Sequence, residues 1–284
     1  MGTTGGGAAE GVEERRALAE LAAGVAREAG ELAADGQEGI GVLATKSTPT
    51  DVVTAMDRSS EELIRKRLLS ARPGDAVLGE EGGEEAGAGG AGRVRWIVDP
   101  IDGTVNYLYG REEWAVSIAA EVEGRVVAGA VAVPRRGQVY TAVLGGGSFL
   151  DGRPLQAPEA PSLDFALIAT GFGYDPRRRA WQAEVLRTVL PRVRDIRRNG
   201  SAAVDLCSLA RGQADGYYER GLNQWDWAAG ALVAQEAGVL VGGLRGAPAN
   251  PDLTIAAGPG LFEELHGLLE PLAADTDGPA AEDG

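Results

Sequence analysis

The chain has 284 residues, 44% hydrophobic and 24% charged, with 42 acidic against 27 basic side chains and a net charge of −15. That is enough for one large α/β unit or two modest subdomains, and the acidic excess argues against a general nucleic-acid surface, which needs clustered Lys and Arg. A single cysteine, Cys207, rules out an internal disulfide and fits a reducing cytoplasm, and the single histidine, His266, in the amphipathic helical pattern LFEELHGLLE, argues against a Ser-His-Asp triad and a His-rich zinc site.

Residues 1–11 are Gly/Ala-rich and read as a disordered tail. They hold no basic segment followed by an apolar core, so no secretory signal is expected. No window approaches the roughly eighteen apolar residues of a membrane span. The segment 14–34 has helical spacing at Leu18, Leu21, Val25 and Leu32. A second helix is expected over 57–74, with N-caps among Asp57 to Ser60, Glu61 and Glu62 in its first turn, and Pro73-Gly74 as its stop.

Two short strands follow, AVLGEE and RVRWIVD. Between them Gly87, Gly89 and Gly92 spell GxGxxG, but the motif precedes a strand instead of opening a helix, so it reads as a surface loop. Residues 114–155 read as a β-meander turning at Glu123-Gly124, Pro134 to Gly137 and Asp151-Gly152. The rest alternates: strand FALIAT, helix AWQAEVLRTVL, helix SAAVDLCSLARG, strand ADGYYE, helix WDWAAGALVAQEAG, strand DLTIAAG and helix LFEELHGLLEPL. Alternation across Gly/Pro punctuation implies layered α/β packing. One domain is expected over 12–271, with an α+β part to about 155, an α/β part from about 156, and an acidic tail at 272–284.

The chemistry concentrates in WIVDPIDGTVNY (96–107), where an apolar run ends in two aspartates three positions apart. Paired acids at a strand end can serve only as caps. Here, however, Glu80 and Glu81 close another strand, Asp226 sits between two tryptophans where a helix opens, and Asp57 opens another. Carboxylates in such places, with no histidine available, suit a hard cation: Mg²⁺ before Zn²⁺. Pro100 forces Asp99 out of the α region, so the Ile101 carbonyl can face the ion bound by both side chains. Gly103-Thr104 then opens a turn whose amides can hold phosphate. Cys207 reads as a small buried hydrophobe, and no GxxxxGK[ST] is present.

GEE (79–81), WIVDPIDGTVNY and WDWAAG (225–230), with KSTPTDVVTAMD, RRNGSAAVDLC and GYYERG in order, resemble the signatures of the inositol monophosphatase family over about 12–270, most of all its bacterial SuhB-type inositol-1-monophosphatases. The resemblance implies a five-layered α-β-α-β-α sandwich and Mg²⁺-dependent hydrolysis of a sugar-like phosphate monoester, most simply myo-inositol 1-phosphate. It also implies a homodimer and inhibition by lithium. Carried over, Glu80, Asp99 and the Ile101 carbonyl hold a first metal, Asp99, Asp102 and Asp226 a second, and Glu80 and, through water, Asp57 a weaker third. Thr104, oriented by Asp57, positions the attacking water. Gly103 and Thr104 bind phosphate, while Glu219, Asp226 and the backbone of Gly200, Ser201 and Ala202 face the polyol.

Fructose 1,6-bisphosphate and histidinol phosphate remain alternative substrates, as does a protein-binding, regulatory dimer. Glu219 could also merely end a strand, and Lys46 is either a surface lysine or a cation beside the phosphate.

Overall fold

The helix expected at residue 14 starts earlier in the computed structural model, which describes residues 6–46, 48, 52–87 and 93–279. Helix α1 spans Gly6–Asp35, so only residues 1–5 of the expected tail lie outside the described residues. The correction has a simple cause: past the glycine run, Ala8, Ala9 and Glu10 are good helix formers with no stop signal before α1 proper.

A small hairpin, β1 (Val42–Thr45) and β2 (Val52–Thr54), leads into α2 (Ala55–Ala71). Its N-cap is Thr54, three residues before the expected start at Asp57. Asp57 sits at the third helical position and completes a reciprocal capping box with Thr54.

The large sheet has eight strands in the order β10-β9-β8-β7-β6-β5-β3-β4. These are β3 (Ala76–Gly79), β4 (Gly83–Glu85), β5 (Val94–Asp102), β6 (Ala115–Val122), β7 (Arg125–Val133), β8 (Gln138–Val143), β9 (Gly147–Leu150) and β10 (Arg153–Pro154). The meander turns fall where Gly and Asp signalled them, with Glu123 and Asp151 at positive φ, each followed by glycine. Of the spurious GxGxxG, Gly89 and Gly92 lie outside the described residues. The short α3 (Thr104–Leu108) follows β5.

The second sheet has five strands, β12-β11-β13-β15-β14: β11 (Leu167–Thr170), β12 (Asp195–Arg197), β13 (Gly216–Glu219), β14 (Leu240–Gly242) and β15 (Thr254–Ala257). Its helices are α4 (Pro176–Val189), α5 (Ala202–Ala210), α6 (Gln224–Glu236) and α7 (Pro259–Leu269). Strands β12 and β14, of three residues each, carried too little pattern to be expected.

Strand alternation sorts these elements into layers. On β5, Trp96 and Val98 pack against α1 and α2, while Ile97 joins Ala203, Cys207, Ala229 and Val233 of α5 and α6. The far side of that helix pair meets the small sheet through Ala169, Tyr217 and Ala256. Ile168, Tyr218 and Ile255, on the opposite face, pack on Val185 and Val189 of α4 and Leu261 and Leu265 of α7. The result is the five-layered α-β-α-β-α sandwich, with α5 and α6 as its central layer. No helix of the described residues is long and apolar enough to cross a membrane.

Close approach fixes the height of that layer. A Cβ on Gly129 of β7 would lie 3.2 Å from the Cα and Cβ of Ala229 in α6. Gly129→Val should therefore cost about 1–3 kcal/mol through overpacking and lower activity as well, because α6 carries Asp226. Urea unfolding beside a phosphatase assay checks both.

The expected acidic tail is also corrected. Ala274 is buried, Trp181 Nε1 donates to the Ala273 carbonyl at 3.1 Å, and Asp277 pairs with two arginines. Up to residue 279 the segment is docked, because its acids meet specific guanidinium partners.

Candidate metal and phosphate centre

The two aspartates of β5 answer to the strand's geometry. A separation of three would place them on opposite faces of a regular strand. The β5–β6 register runs evenly from Val94↔Val122 to Asp99↔Ser117, then shifts so that Asp102 pairs with Ala115. Three steps on β5 are matched by two on β6. The extra residue reverses the alternation and turns Asp102 to the side of Asp99. Pro100, with no N–H to offer a ladder, sits inside that irregularity, and its carbonyl accepts from Ser60 Oγ at 3.2 Å.

The small sheet's helices close the cluster. Asn223 caps α6, and Asp226 at the third helical position accepts from the Asn223 amide at 2.6 Å. Carboxylate oxygens of Asp99, Asp102 and Asp226 lie within 4.8 Å of one another. Asp102 is held by α5 across the layer boundary, accepting from Ser201 Oγ at 2.6 Å and the Ala203 amide at 2.7 Å. Asp99 accepts from the Ile101 amide at 2.9 Å.

Burial, then mutual repulsion, dominates the electrostatics. It pushes Asp99 and Asp226 well above the usual carboxylate range, with Glu80 the largest charged contributor to each. Burial raises Glu80 to about 7 against the opposing pull of Lys46, and Asp102 to about 6 against its hydrogen bonds from α5. Lys46 pairs directly with these acids, its Nζ lying 2.7 Å from Glu80 and 2.6 Å from Glu81. Although burial lowers its pKa, the two carboxylates raise it above the ordinary lysine value.

Asp57 is fully buried and reaches the centre through Thr104. Its Oδ2 accepts from the Thr54 amide (2.8 Å) and Oγ1 (2.5 Å), and its Oδ1 from Thr104 Oγ1 at 3.0 Å. Thr104 Oγ1 also lies 3.1 Å from the Ile101 carbonyl. Its single proton serves one acceptor at a time, and its lone pairs stay available to accept. Gly103 has φ 98°, and a Cβ there would meet the Gly200 carbonyl at 3.0 Å, so only glycine suits the turn into α3.

These groups share one cavity of about 460 Å³, lined by Glu80, Asp99, Ile101, Asp102, Gly103 and Thr104 from the large-sheet side. Gly200, Ala202, Glu219 and Asp226 line it from the small-sheet side, with Lys46 at its edge. Asp57 and Ser201 stand behind this lining: Ser201 is buried and its hydroxyl is engaged by Asp102. Glu219 ends β13, where Tyr217 Oη donates to it at 2.8 Å, and burial pushes it up to about 7. The 199–202 loop is tied down by Asn106, whose Nδ2 donates to the Asn199 carbonyl at 2.7 Å, and by Asn199 Nδ2, which donates to Asp205 at 2.5 Å.

One contributor had no sequence signal for its role. Glu61 read as a first-turn acid, yet its carboxylate accepts from the Glu81 and Gly82 amides, each at 2.8 Å, and pins the turn that presents Glu80. Phe172, Tyr174, Arg178, Arg198 and Arg220 also line the cavity. Asp175 caps α4 by accepting from the Arg178 amide at 2.9 Å. His266 stays on α7, where its Nε2 accepts from the Arg245 amide at 2.9 Å.

Comparison with known proteins agrees with this construction. The model of the inositol monophosphatase family matches residues 14–275. Inositol-1-monophosphatase SuhB of Mycobacterium tuberculosis is 49% identical over 241 residues, covering 82% of this chain and 83% of the relative. Nus factor SuhB of Pseudomonas aeruginosa is 38% identical over 233 residues, covering 81% and 86%. The crystal structure of the extragenic suppressor protein suhB from Bartonella henselae superposes with a TM-score of 0.83 at 34% identity, covering 89% of this chain and 98% of that one. By sequence, layer order and site, the chain belongs to the inositol monophosphatase family, whose chemistry is phosphate monoester hydrolysis.

Proposed function

We propose that the protein is a Mg²⁺-dependent phosphatase that hydrolyses myo-inositol 1-phosphate to inositol and phosphate. The observation that carries the reading is the convergence of Asp99, Asp102 and Asp226 within 4.8 Å in a cavity also lined by Gly103, Thr104 and Glu219. The donor set fits the metal. It is all oxygen, which suits a hard cation, and its crowded carboxylates are short of positive charge, with a lysine ammonium already drawn onto Glu80. In this reading Glu80, Asp99 and the Ile101 carbonyl would hold one ion, Asp99, Asp102 and Asp226 a second, and Glu80 and, through water, Asp57 a third.

When bound, magnesium supplies Lewis acidity, acidifying water and offsetting charge on the leaving oxygen. The chain's own residues do the rest. Thr104 Oγ1, steered by Asp57, accepts a hydrogen bond from the attacking water and fixes its approach. The Gly103 and Thr104 amides take phosphate oxygens. Glu219, held by Tyr217, and the backbone of residues 200–202 take the polyol hydroxyls; Ser201 contributes its backbone, since its hydroxyl belongs to Asp102.

Glu219→Gln should raise KM for inositol 1-phosphate by roughly tenfold, as expected when a charged hydrogen bond becomes neutral, and leave 4-nitrophenyl phosphate nearly untouched. Equal losses on both substrates would make Glu219 a structural residue. The substrate itself is tested by phosphate release from inositol 1-phosphate, fructose 1,6-bisphosphate and histidinol phosphate, each with Mg²⁺ and with chelator. A faster rate on either of the other two reassigns the substrate, and a rate indifferent to chelator removes the metal. A second reading, as a Nus factor, draws on the name of the Pseudomonas relative; the intact acidic cluster favours hydrolysis.

A further inference from the structure

The last described stretch of the chain docks behind the cavity and reaches two arginines that line it. After α7 it turns through Glu270–Leu272 and Ala273, where Trp181 of α4 donates to the Ala273 carbonyl. Gly278 then lies against the Trp181 ring, so close that a Cβ there would come within 2.8 Å of it. This strap delivers one carboxylate to two arginines of the cavity lining. Asp277 Oδ1 accepts from Arg178 Nε and from Arg220 Nε, each at 2.9 Å.

Both arginines line the cavity that holds the acidic cluster, and they reach it from different elements: Arg178 from α4, Arg220 from the turn after β13. Arg220 is braced a second time, its Nη1 donating to the Asp252 carbonyl at 3.0 Å and Oδ1 at 3.2 Å. Arg178 threads between two glycines of the wall. A Cβ on Gly173 would lie 2.8 Å from its Cδ, and one on Gly221 2.3 Å from its Nη1. With glycine at both positions, the space beside them is filled by the arginine, which forms the surface there. A long side chain left unheld must be ordered when the substrate arrives, which weakens binding; a carboxylate that orders it beforehand removes that cost.

We propose that Asp277 is a positioning residue of the substrate cavity: by holding Arg178 and Arg220 together, it sets the wall beside Glu219 against which the polyol part of a phosphate monoester rests. The inference rests on the reading of the protein as a polyol-phosphate phosphatase. It assigns the C-terminal strap a part in specificity, acting through two guanidiniums that suit hydroxyl or anionic substituents. Hydrogen bonds from both arginines lower the Asp277 carboxyl to about 2, so the clamp stays charged throughout the neutral range and its effect should not vary with pH there.

The test is steady-state kinetics of the full-length wild type, Asp277→Asn and Asp277→Glu on three substrates: myo-inositol 1-phosphate, fructose 1,6-bisphosphate and 4-nitrophenyl phosphate. Melting temperatures are measured alongside. Asp277→Asn should raise KM for the polyol phosphates roughly tenfold, the usual scale for losing a charged hydrogen-bond anchor. Their kcat and the hydrolysis of 4-nitrophenyl phosphate should stay near wild type, and Asp277→Glu should recover part of the loss. Equal losses on all three substrates, in step with melting temperature, would make the strap merely structural and overturn the proposal; unchanged KM values would do the same. Wild-type enzyme that cleaves the bisphosphate but not inositol 1-phosphate corrects the substrate, and the KM comparison then stands on the bisphosphate. Wild-type enzyme that cleaves neither overturns the proposal together with the function beneath it.

Discussion

Asp99→Asn and Asp226→Asn should each lower phosphatase turnover by on the order of 10³-fold, the scale seen when one preorganised charge-stabilising group is removed, while the circular dichroism spectrum stays that of the wild type. The substitution is chosen to separate charge from architecture. Asp99 accepts from the Ile101 amide and Asp226 from the Asn223 amide. An asparagine oxygen can keep either bond, so the bulge of β5 and the cap of α6 survive. What disappears is one negative charge from a cluster whose oxygens lie within 4.8 Å of one another, and a neutral amide is a poor ligand for Mg²⁺. Asp102→Ala would be a less clean probe, because it also strips Ser201 and the Ala203 amide of their acceptor at the start of α5. Near-normal turnover in either purified asparagine variant would remove these residues from the metal site.

The second large effect is on stability. Magnesium near a hundred times its dissociation constant should raise the melting temperature by roughly 5 °C, from about 2.7 kcal/mol of linkage at about 2 °C per kcal/mol for a chain this long. The size of the rise should depend on pH, with a definite sign. Without metal, Glu80 and Asp102 titrate near 7 and 6 in the folded protein, and Asp99 and Asp226 are also raised. In the unfolded chain all four fall back to ordinary carboxylate values. Between those limits the folded state binds more protons, so metal-free stability declines as pH rises from about 5 through 7. Magnesium needs the ionised carboxylates and relieves their repulsion, so its increment should grow over the same window. Asp99→Asn removes one crowded charge and should both raise the metal-free melting temperature and shrink the Mg²⁺ response. A thermal-shift titration at pH 5.5 and pH 8 measures all of this; a wild-type curve flat in Mg²⁺ would mean that the acids serve only as caps.

Much of the site was legible locally. Asp99-Pro100-Ile101-Asp102-Gly103-Thr104 is continuous, and Pro and Gly carry backbone restrictions that can be read without coordinates. Asp226 could be placed at a helix start because the helical pattern WDWAAGALVAQEAG opens beside it; its cap, Asn223, emerged only from the structure. Layered α/β packing was open to reading from the alternation of strand and helix patterns, whereas the order of five layers came with the family resemblance: β5, β6 and α6 are buried on all sides, so their own patterns name no single face. The misreadings lay at boundaries, in the three-residue strands β12 and β14, and in the C-terminal segment. Thr54, not Asp57, caps α2, and the chain past Leu272 is docked where composition suggested a tail. Composition records how polar a segment is; it does not record whether a partner for each charge waits elsewhere in the fold.

What the sequence determined by itself is the inventory: carboxylates without histidine, a Gly-Thr turn beside them, and alternating strands and helices that call for layered packing. Tertiary structure alone decided how the inventory is assembled. The β5–β6 register shift turns Asp102 toward Asp99, and the Ser201 hydroxyl is bound to Asp102 across 99 residues. Glu61 is drawn beneath the Glu80 turn, and Asp277 is brought back 99 positions to Arg178. The physical reason is the same in each case. Periodicity and capping are properties of neighbours within a few residues, whereas a carboxylate buried between layers takes its partner from whatever element the packing of the sheets brings alongside.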